Sequence, residues 1–434
     1  MHRTTRVDVR SLRVVGFGVL LSAVICAVGL SGAEKPTGAE KPTGFTEHLL
    51  AGKLGYVFGV AAADLDGDGD VDLTSPDIKD KAVSTLYLFR NDGHGKFKRE
   101  VLFAGEPGWF ERHVIADVDG NGTPDVAIVN NQKGNLIWLS NPGGDGTKPW
   151  KRHVITNNCP RAYDVVLVDL DGDGDLDAAA TTYRAHVVAW YEHPGNAALD
   201  REWTRRVIDA DMHESRTLAV GDFDRDGRPD LLATAVGEMP SGQPDSTKHK
   251  SRVAWYRNSG EPDSQKWQRH IIEDRLPAAV HGHPVDLDAD GDLDVVMAHG
   301  MRVEADPTIS RHQVVWYENT SKGKGIPRWR RHHVGRLPFA FEAIAGDIDA
   351  DGDLDIAATA WSKGDRVVWF ENSGRNKWVQ HVVRTDFRAA NQIILVDLDG
   401  DKRLDLVAGA DDGSRRVQGA LELRWWRNGL AKKK

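Results

Sequence analysis

Cysteine is nearly missing from this 434-residue chain: there are two, Cys26 and Cys159. Basic runs are missing too. None is longer than the terminal Lys432-Lys433-Lys434, and 56 Lys+Arg against 65 Asp+Glu leave a formal net charge of −9. That balance argues against nucleic acid as the partner. No stretch has the length and amphipathic period of a helix, and no nucleophile elbow, phosphate loop or nucleotide fingerprint is present. One long apolar run exists, from Val14 to Leu30. It follows Arg3, Arg6, Arg10 and Arg13 and precedes the small residues Ser31-Gly32-Ala33. This pattern predicts a secretory signal over 1–33, with an uncleaved N-terminal anchor as the alternative. Ile25 ahead of Cys26 does not suit a lipoprotein site. The expected location is secreted, periplasmic or cell-surface, with no membrane span after cleavage. Loss of Cys26 would leave Cys159 alone, so an exported chain would need a staple other than disulfides. A duplicated EKPTG over 34–44 reads as a Pro/Gly linker, and 431–434 as a basic tail.

What is abundant is tryptophan and glycine, 14 and 44 residues, and both recur with a period. A motif D-x-D-x-D-G-x-x-D begins at Asp64, Asp117, Asp169, Asp222, Asp286, Asp347 and Asp397, at spacings of 53, 52, 53, 64, 61 and 50. Each copy is followed by a short apolar strand such as LDIAATA (354–360), an aromatic strand ending near Asn such as VVWFEN (367–372), a W-x-x-H strand such as WVQHVV (378–383), and an apolar strand leading into the next motif. Four strands per unit of about 50 residues predict an all-β, seven-bladed propeller of four-stranded blades. The seventh unit lacks its W-x-x-H strand, and FTEHLL (45–50) at the other end of the chain matches it. The N-terminal strand is therefore expected to complete the last blade and close a single domain over 45–430. The tryptophans are expected to stack between blades, and the histidines of the outer strands (His153, His270, His332, His381) to be structural.

The motif supplies hard oxygen donors at fixed spacing. Positions 1, 3, 5 and 9 are Asp64, Asp66, Asp68 and Asp72 in the first copy; Asp117, Asp119, Asn121 and Asp125 in the second; Asp169, Asp171, Asp173 and Asp177 in the third; Asp222, Asp224, Asp226 and Asp230 in the fourth; Asp286, Asp288, Asp290 and Asp294 in the fifth; Asp347, Asp349, Asp351 and Asp355 in the sixth; Asp397, Asp399, Asp401 and Asp405 in the seventh. Position 7 offers a backbone carbonyl, from Asp70, Thr123, Asp175, Arg228, Asp292, Asp353 and Arg403. Such a set suits calcium, which takes six to eight oxygens. Position 12 carries no Glu and the flanks are strands, which excludes EF-hands. Six or seven calcium sites are expected, with the second weakened by Asn121 and the seventh by Lys402 where the other copies have Gly. Of the 65 acidic residues, 31 are aspartates of these seven windows, a density that calls for counter-ions.

These residues resemble the FG-GAP/VCBS repeat family, whose best-known fold is the N-terminal propeller of integrin α chains; the resemblance covers about 45–430. The W-Y-E-N strands are also similar to the propeller region of aldos-2-ulose dehydratases, though the cupin part of those enzymes has no counterpart here. In an integrin-like blade the loops lie on one face of the disc, and the opposite face is built from the entrances of the innermost strands. Five residues before the first Asp of each loop stand Gly59, Arg112, Asp164, Thr217, His281, Glu342 and Gln392, at one level of the ring. Arg112, Asp164, His281 and Glu342 are the candidate catalytic groups; Glu111, Tyr163, His213, Arg216, His283, Arg388 and Asn391 are candidate ligand contacts. An acid, a base and guanidinium groups around an axial cavity would suit proton abstraction from a sugar. His281 and His283 with Glu342 or Asp164 could also hold a transition metal. The primary expectation is an exported, calcium-binding interaction module for carbohydrate or an extracellular protein. The alternative is a lyase or dehydratase acting on oxidised or acidic sugars in the central funnel.

Overall fold

The computed structural model describes residues 44–78, 83–144, 148–237, 251–261, 267–276, 278–300, 312–374, 376–411 and 421–430. The expected signal, most of the linker and the basic tail lie outside these residues. Twenty-eight strands form seven four-stranded antiparallel sheets. Blades 1 to 6 run consecutively over 61–107, 110–156, 162–209, 215–273, 279–336 and 340–385. Blade 7 takes three strands from 390–428 and its outermost strand from Phe45–Leu54, which pairs antiparallel with Leu421–Asn428 from Phe45↔Asn428 to Leu54↔Leu421. The closure expected from the sequence is present. No helix among the described residues is long and apolar enough to cross a membrane.

Side-chain size follows the distance from the axis. The second strand of blade 3, Asp177–Thr182, is wholly buried and reads DAAATT; that of blade 6, Asp355–Ala360, reads DIAATA. Small residues fit where radiating sheets are closest, and Trp and Tyr on the third strand fill the gap where they diverge. Most of the core accordingly falls into clusters at the seven junctions, one between each pair of neighbouring blades. Trp138, Trp190, Trp255, Trp316, Trp369 and Trp425 each serve one junction. They do not stack on one another. Five lie face to face with the cross-strand histidine of their own blade: His153, His270, His332, His381 and, on the closing strand, His48, with ring centroids 4.2–4.6 Å apart. In blade 3 the guanidinium of Arg206 takes this place over Trp190. The outer-strand histidines are structural, as expected.

An asparagine that ends the third strand ties blades together. Asn141 Nδ2 donates to Leu65 O of blade 1 at 2.8 Å, Asn258 Nδ2 to Leu170 O of blade 3 at 2.7 Å, and Asn428 Nδ2 to Ile348 O of blade 6 at 3.0 Å. Asn91 closes the ring by donating to Leu398 O of blade 7 at 2.8 Å. Each acceptor is the second residue of the preceding blade's acidic loop. At the outer edge Glu47 of the closing strand accepts from Arg384 of blade 6, from Arg424 and from the Trp426 indole.

Candidate functional site

Two groups of polar residues are brought together, on opposite faces of the disc. The acidic loops wind on their own carboxylates. In the first, Asp64 accepts from the amides of Gly67 and Gly69 at 2.7 and 3.0 Å. The amide of position 6 donates to the first Asp in all seven copies. That residue has positive φ throughout, 89–103° for the six glycines and 66° for Lys402, so the seventh loop keeps the turn with a Cβ in the left-handed region. The ninth-position Asp is a pin as well as a candidate ligand. In the first copy its two oxygens accept from Leu65 N and Asn91 N, and the same pair of bonds recurs in every copy.

The donor chemistry fits a hard cation. In Asp64/Asp66/Asp72, Asp117/Asp119/Asp125, Asp169/Asp171/Asp177, Asp222/Asp224/Asp230 and Asp286/Asp288/Asp290, one oxygen from each residue lies within 4.8 Å of the others. Asp286 Oδ1 is buried without a hydrogen-bond donor. Burial raises the ninth-position carboxyls, Asp125 to about 7, Asp177 to about 8 and Asp355 to about 9, despite the two amides each accepts. A cation in the loop would offset that cost.

At the other end of the innermost strands, a β-bulge recurs in blades 2 to 7. Register breaks between Phe110 and His113, Ala162 and Asp164, Ser215 and Leu218, Ala279 and Gly282, Ala340 and Glu342, and Ala390 and Ile393. A bulge turns two consecutive side chains to one side of a sheet. Two levels, not one, therefore reach the axis. The level singled out in the sequence holds Arg112, Asp164, Thr217, His281, Glu342 and Gln392. The level beside it holds Glu111, Tyr163, Arg216 and Asn391 together with Phe58, Val280 and Phe341, which the sequence reading passed over.

The apolar members of the second level, Phe58, Tyr163, Val280 and Phe341, form an axial cluster with Tyr56, Tyr183 and Trp361 packed on it. Blades that are not neighbours touch here: Phe58 of blade 1 lies edge-on to Tyr163 of blade 3 and to Phe341 of blade 6. The expected polar funnel is thus closed by an aromatic plug.

The polar groups around the plug are paired. Arg112 of blade 2 and Glu342 of blade 6, both buried, form a two-pronged ion pair, Nη1 with Oε1 at 3.2 Å and Nη2 with Oε2. His283 Nε2 lies 3.0 Å from Glu342 Oε1. Burial alone would raise Glu342, but the Arg112 guanidinium and the hydrogen bond from His283 outweigh it and hold the carboxylate well below its ordinary range. His281 is fully buried, and its ring nitrogens sit 2.9 Å from the Tyr163 hydroxyl and 2.9 Å from Thr217 Oγ1. Burial, then Arg112, hold it neutral, far below the usual imidazole value. With both nitrogens taken, His281 does not fit a shared transition-metal site with His283. Asp164 accepts from the amides of Val165 and Leu218, and burial raises its carboxyl. Glu111 accepts from the Tyr56 hydroxyl at 3.3 Å and Asn131 Nδ2 at 3.2 Å. Arg216 lies over the rings of Tyr163 and Tyr183 at 4.5 and 4.7 Å and pairs with Glu214. Asn391 Nδ2 donates to Val57 O.

His213 stands in the turn ahead of the innermost strand of blade 4, where its ring stacks on His186 of blade 3 at 4.2 Å and pairs with Asp211. Arg388 is half-buried two residues ahead of the last innermost strand, Ala390–Val396. Half-buried rings of Tyr56, Trp109, Tyr183 and Trp361 and the exposed Arg184 surround the mouth. A clasp repeats there: Asn131, Tyr183, Val236, Gly300, Trp361 and Asp411 donate their amides to the carbonyls of Trp109, Arg161, Glu214, Ala278, Phe339 and Ala389.

The profile of the FG-GAP-like repeat matches residues 117–180, 169–233, 286–358 and 347–408. Each match runs from the first Asp of one acidic loop to the twelfth position of the next, and together they cover more than half of the chain. No curated protein matches the sequence. Among solved structures the chain is similar to one described as the crystal structure of BBS1N in complex with ARL6DN, soaked with mercury. The identity is 13% and the TM-score 0.49, over 88% of this chain and 96% of that one.

Proposed function

The chain belongs to the FG-GAP-like repeat family, and from that premise we propose that it is an interaction module whose partner, protein or carbohydrate, docks on the mouth of the funnel while calcium in the acidic loops staples the opposite face. The observation that carries this reading is the arrangement at the axis. Arg112, Glu342, His283, His281 and Thr217 are committed to one another and to Tyr163 of the aromatic plug, whereas the rings of Tyr56, Trp109, Tyr183 and Trp361 stay partly exposed. Partly exposed aromatics beside guanidinium groups are the usual anchors of protein and sugar contacts. Calcium would supply a staple where Cys159, the cysteine among the described residues, is buried and free. Saturating ion at a hundredfold excess over Kd is worth about 2.7 kcal/mol per site.

A lyase reading draws on one observation, the junction of Arg112, Glu342 and His283 at the axis. The carboxylate there is already held between two cationic or proton-bearing partners, which favours positioning over proton abstraction.

The test probes glycan and extracellular-protein arrays with the full chain and with Trp109→Ala/Trp361→Ala. Loss of every captured ligand in the double variant supports the reading; equal capture moves the contact to another face. Release of an unsaturated product from an acidic polysaccharide, abolished by Glu342→Gln, would establish the lyase instead. EDTA should lower the melting temperature and calcium restore it. An unchanged melt after verified metal removal refutes the staple.

A further inference from the structure

The seven loops share one frame but not one electrostatic setting. The difference lies in the third strand, at the residue just before the Asn or His whose amide binds the ninth-position Asp. It is arginine in blades 1, 4 and 7 (Arg90, Arg257, Arg427), glutamate in blades 3, 5 and 6 (Glu192, Glu318, Glu371) and Ser140 in blade 2. Each arginine forms an ion pair with the third-position Asp of its own loop: Arg90 with Asp66, Arg257 with Asp224 and Arg427 with Asp399. Arg257 also reaches the fifth-position Asp226 at 3.0 Å, and Arg427 lies 3.5 Å from Asp401. The glutamates turn the other way, to basic groups of the outermost strand: Glu192 to Arg206, Glu318 to Arg330 and His332, Glu371 to His381. Among the described residues no arginine reaches Asp171 or Asp288.

A guanidinium is permanently charged, and its planar fork matches carboxylate pairs. Set on position 3, and in blades 4 and 7 on position 5 as well, it occupies carboxylates that a divalent ion would need and repels that ion at short range. We propose that Arg90, Arg257 and Arg427 are built-in counter-ions, so that the loops of blades 1, 4 and 7 hold their turns without calcium and ion binding is confined to blades 2, 3, 5 and 6. Loops 1 and 4 have the full set of aspartates and glycine, so their loop sequences alone rank them with the best sites; the arginine outside the loop reverses that ranking. The seventh loop adds Arg403, paired with Asp401, to the same effect. This inference rests on the calcium reading of the loops, and its test separates the two.

The full chain is stripped with EDTA, dialysed and titrated with calcium, with bound ion counted by plasma mass spectrometry. About four ions per chain are expected, the number of loops without a third-strand arginine; Arg225 does pair with Asp292 of loop 5, but position 7 offers its backbone carbonyl rather than its carboxylate. Arg257→Gln should bind one ion more than the parent, and Glu318→Arg one fewer. In EDTA the melt of Arg257→Gln should fall below that of the parent, and calcium should close the gap. Seven sites of equal affinity in the parent, or an unchanged count in folded Arg257→Gln, overturn the counter-ion inference and leave the calcium reading standing. A parent that binds no calcium overturns both. Should Arg257→Gln fail to fold, Glu318→Arg decides alone: retention of the full ion count overturns the inference.

Discussion

Arg112 and Glu342 leave blades that lie three places apart on the ring and meet at its axis as a buried two-pronged ion pair. Such a pair contributes little relative to apolar side chains of the same volume, but removing one partner strands a buried charge. Arg112→Met should therefore cost about 3–5 kcal/mol, and Arg112→Met/Glu342→Leu should recover most of the loss. Urea unfolding of the two variants checks this. A double variant as unstable as the single one would mean that the pair itself holds the axis.

The mouth should respond to alkali. Burial pushes Glu111 up to about 8; Arg216, the Tyr56 hydroxyl and Arg161 pull against that, and Asp411 adds to it. The folded chain then keeps a proton that the unfolded chain loses above about 4.3. Stability from this group falls as pH rises from about 4.3, and the penalty is complete above about 8. At saturating calcium, Glu111→Gln should flatten the decline relative to the parent; parallel pH profiles would refute the assignment.

His113 acts in the opposite sense. Burial lowers it to about 4, with a backbone contact of Glu111 and Thr74 opposing, and its Nε2 sits 2.7 Å from Thr74 Oγ1 of the neighbouring blade. It is neutral in the fold and charges in the unfolded chain below about 6.5, so stability is lost as pH drops from about 6.5 towards 4. His113→Gln should shorten that acid limb in thermal melts, and an unaltered limb would assign it to other groups.

The asparagine latches should differ in strength. Asn258→Ala removes the donor to Leu170 O across the blade 3–4 junction and should cost about 1–3 kcal/mol. Asn372 donates within its own blade, to Leu354 O at 3.2 Å, and Asn372→Ala should cost less. Equal losses on denaturant unfolding would show that the cross-blade bond carries no special weight.

Ring closure depends on Glu47. Its carboxylate joins the N-terminal strand to Arg384, Arg424 and Trp426, so Glu47→Ala takes from Arg384 its carboxylate partner and leaves Arg424 with Glu422 alone. Deletion of 45–54 goes further and opens the edge of Leu421–Asn428. The substitution should lower the melt, and the deletion should produce aggregates by light scattering. A monomeric, unaltered deletion would show that six closed blades suffice.

Much of this was legible in the sequence. The period, the aromatic strands and the orphan FTEHLL gave blade number, order and closure, because each reflects side-chain alternation or a strand without a partner. The −5 level named Arg112, Asp164, His281 and Glu342 correctly as neighbours of the axis. The plug is not legible because Val280 and Phe341 look like ordinary inward residues of a strand, and only the bulge brings them to the axis beside the polar level; Phe58 stands ahead of the first strand of blade 1, where no strand pattern marks it. His213 precedes the innermost strand of its blade, and its stacking on His186 is set by a turn of the neighbouring blade. Arg90, Arg257 and Arg427 are not legible as loop groups because they stand 24, 33 and 28 residues downstream of the third-position aspartates they bind. A pattern of Arg or Glu just before the strand-ending Asn was the available signal.

The bulge has a consequence for how such a chain can change. Without it, each innermost strand would offer one side chain to the axis, and seven blades would give a lining of seven choices. With two consecutive residues turned inward in blades 2 to 7, the lining gains a second layer, and a residue in it faces the axis without occupying a paired position of the ladder. Substitutions at Glu111, Tyr163, Arg216, Val280, Phe341 or Asn391 therefore change the filling of the axis without touching a ladder pair of the strand. The ladder that builds each blade and the packing that fills the centre are set by different residues.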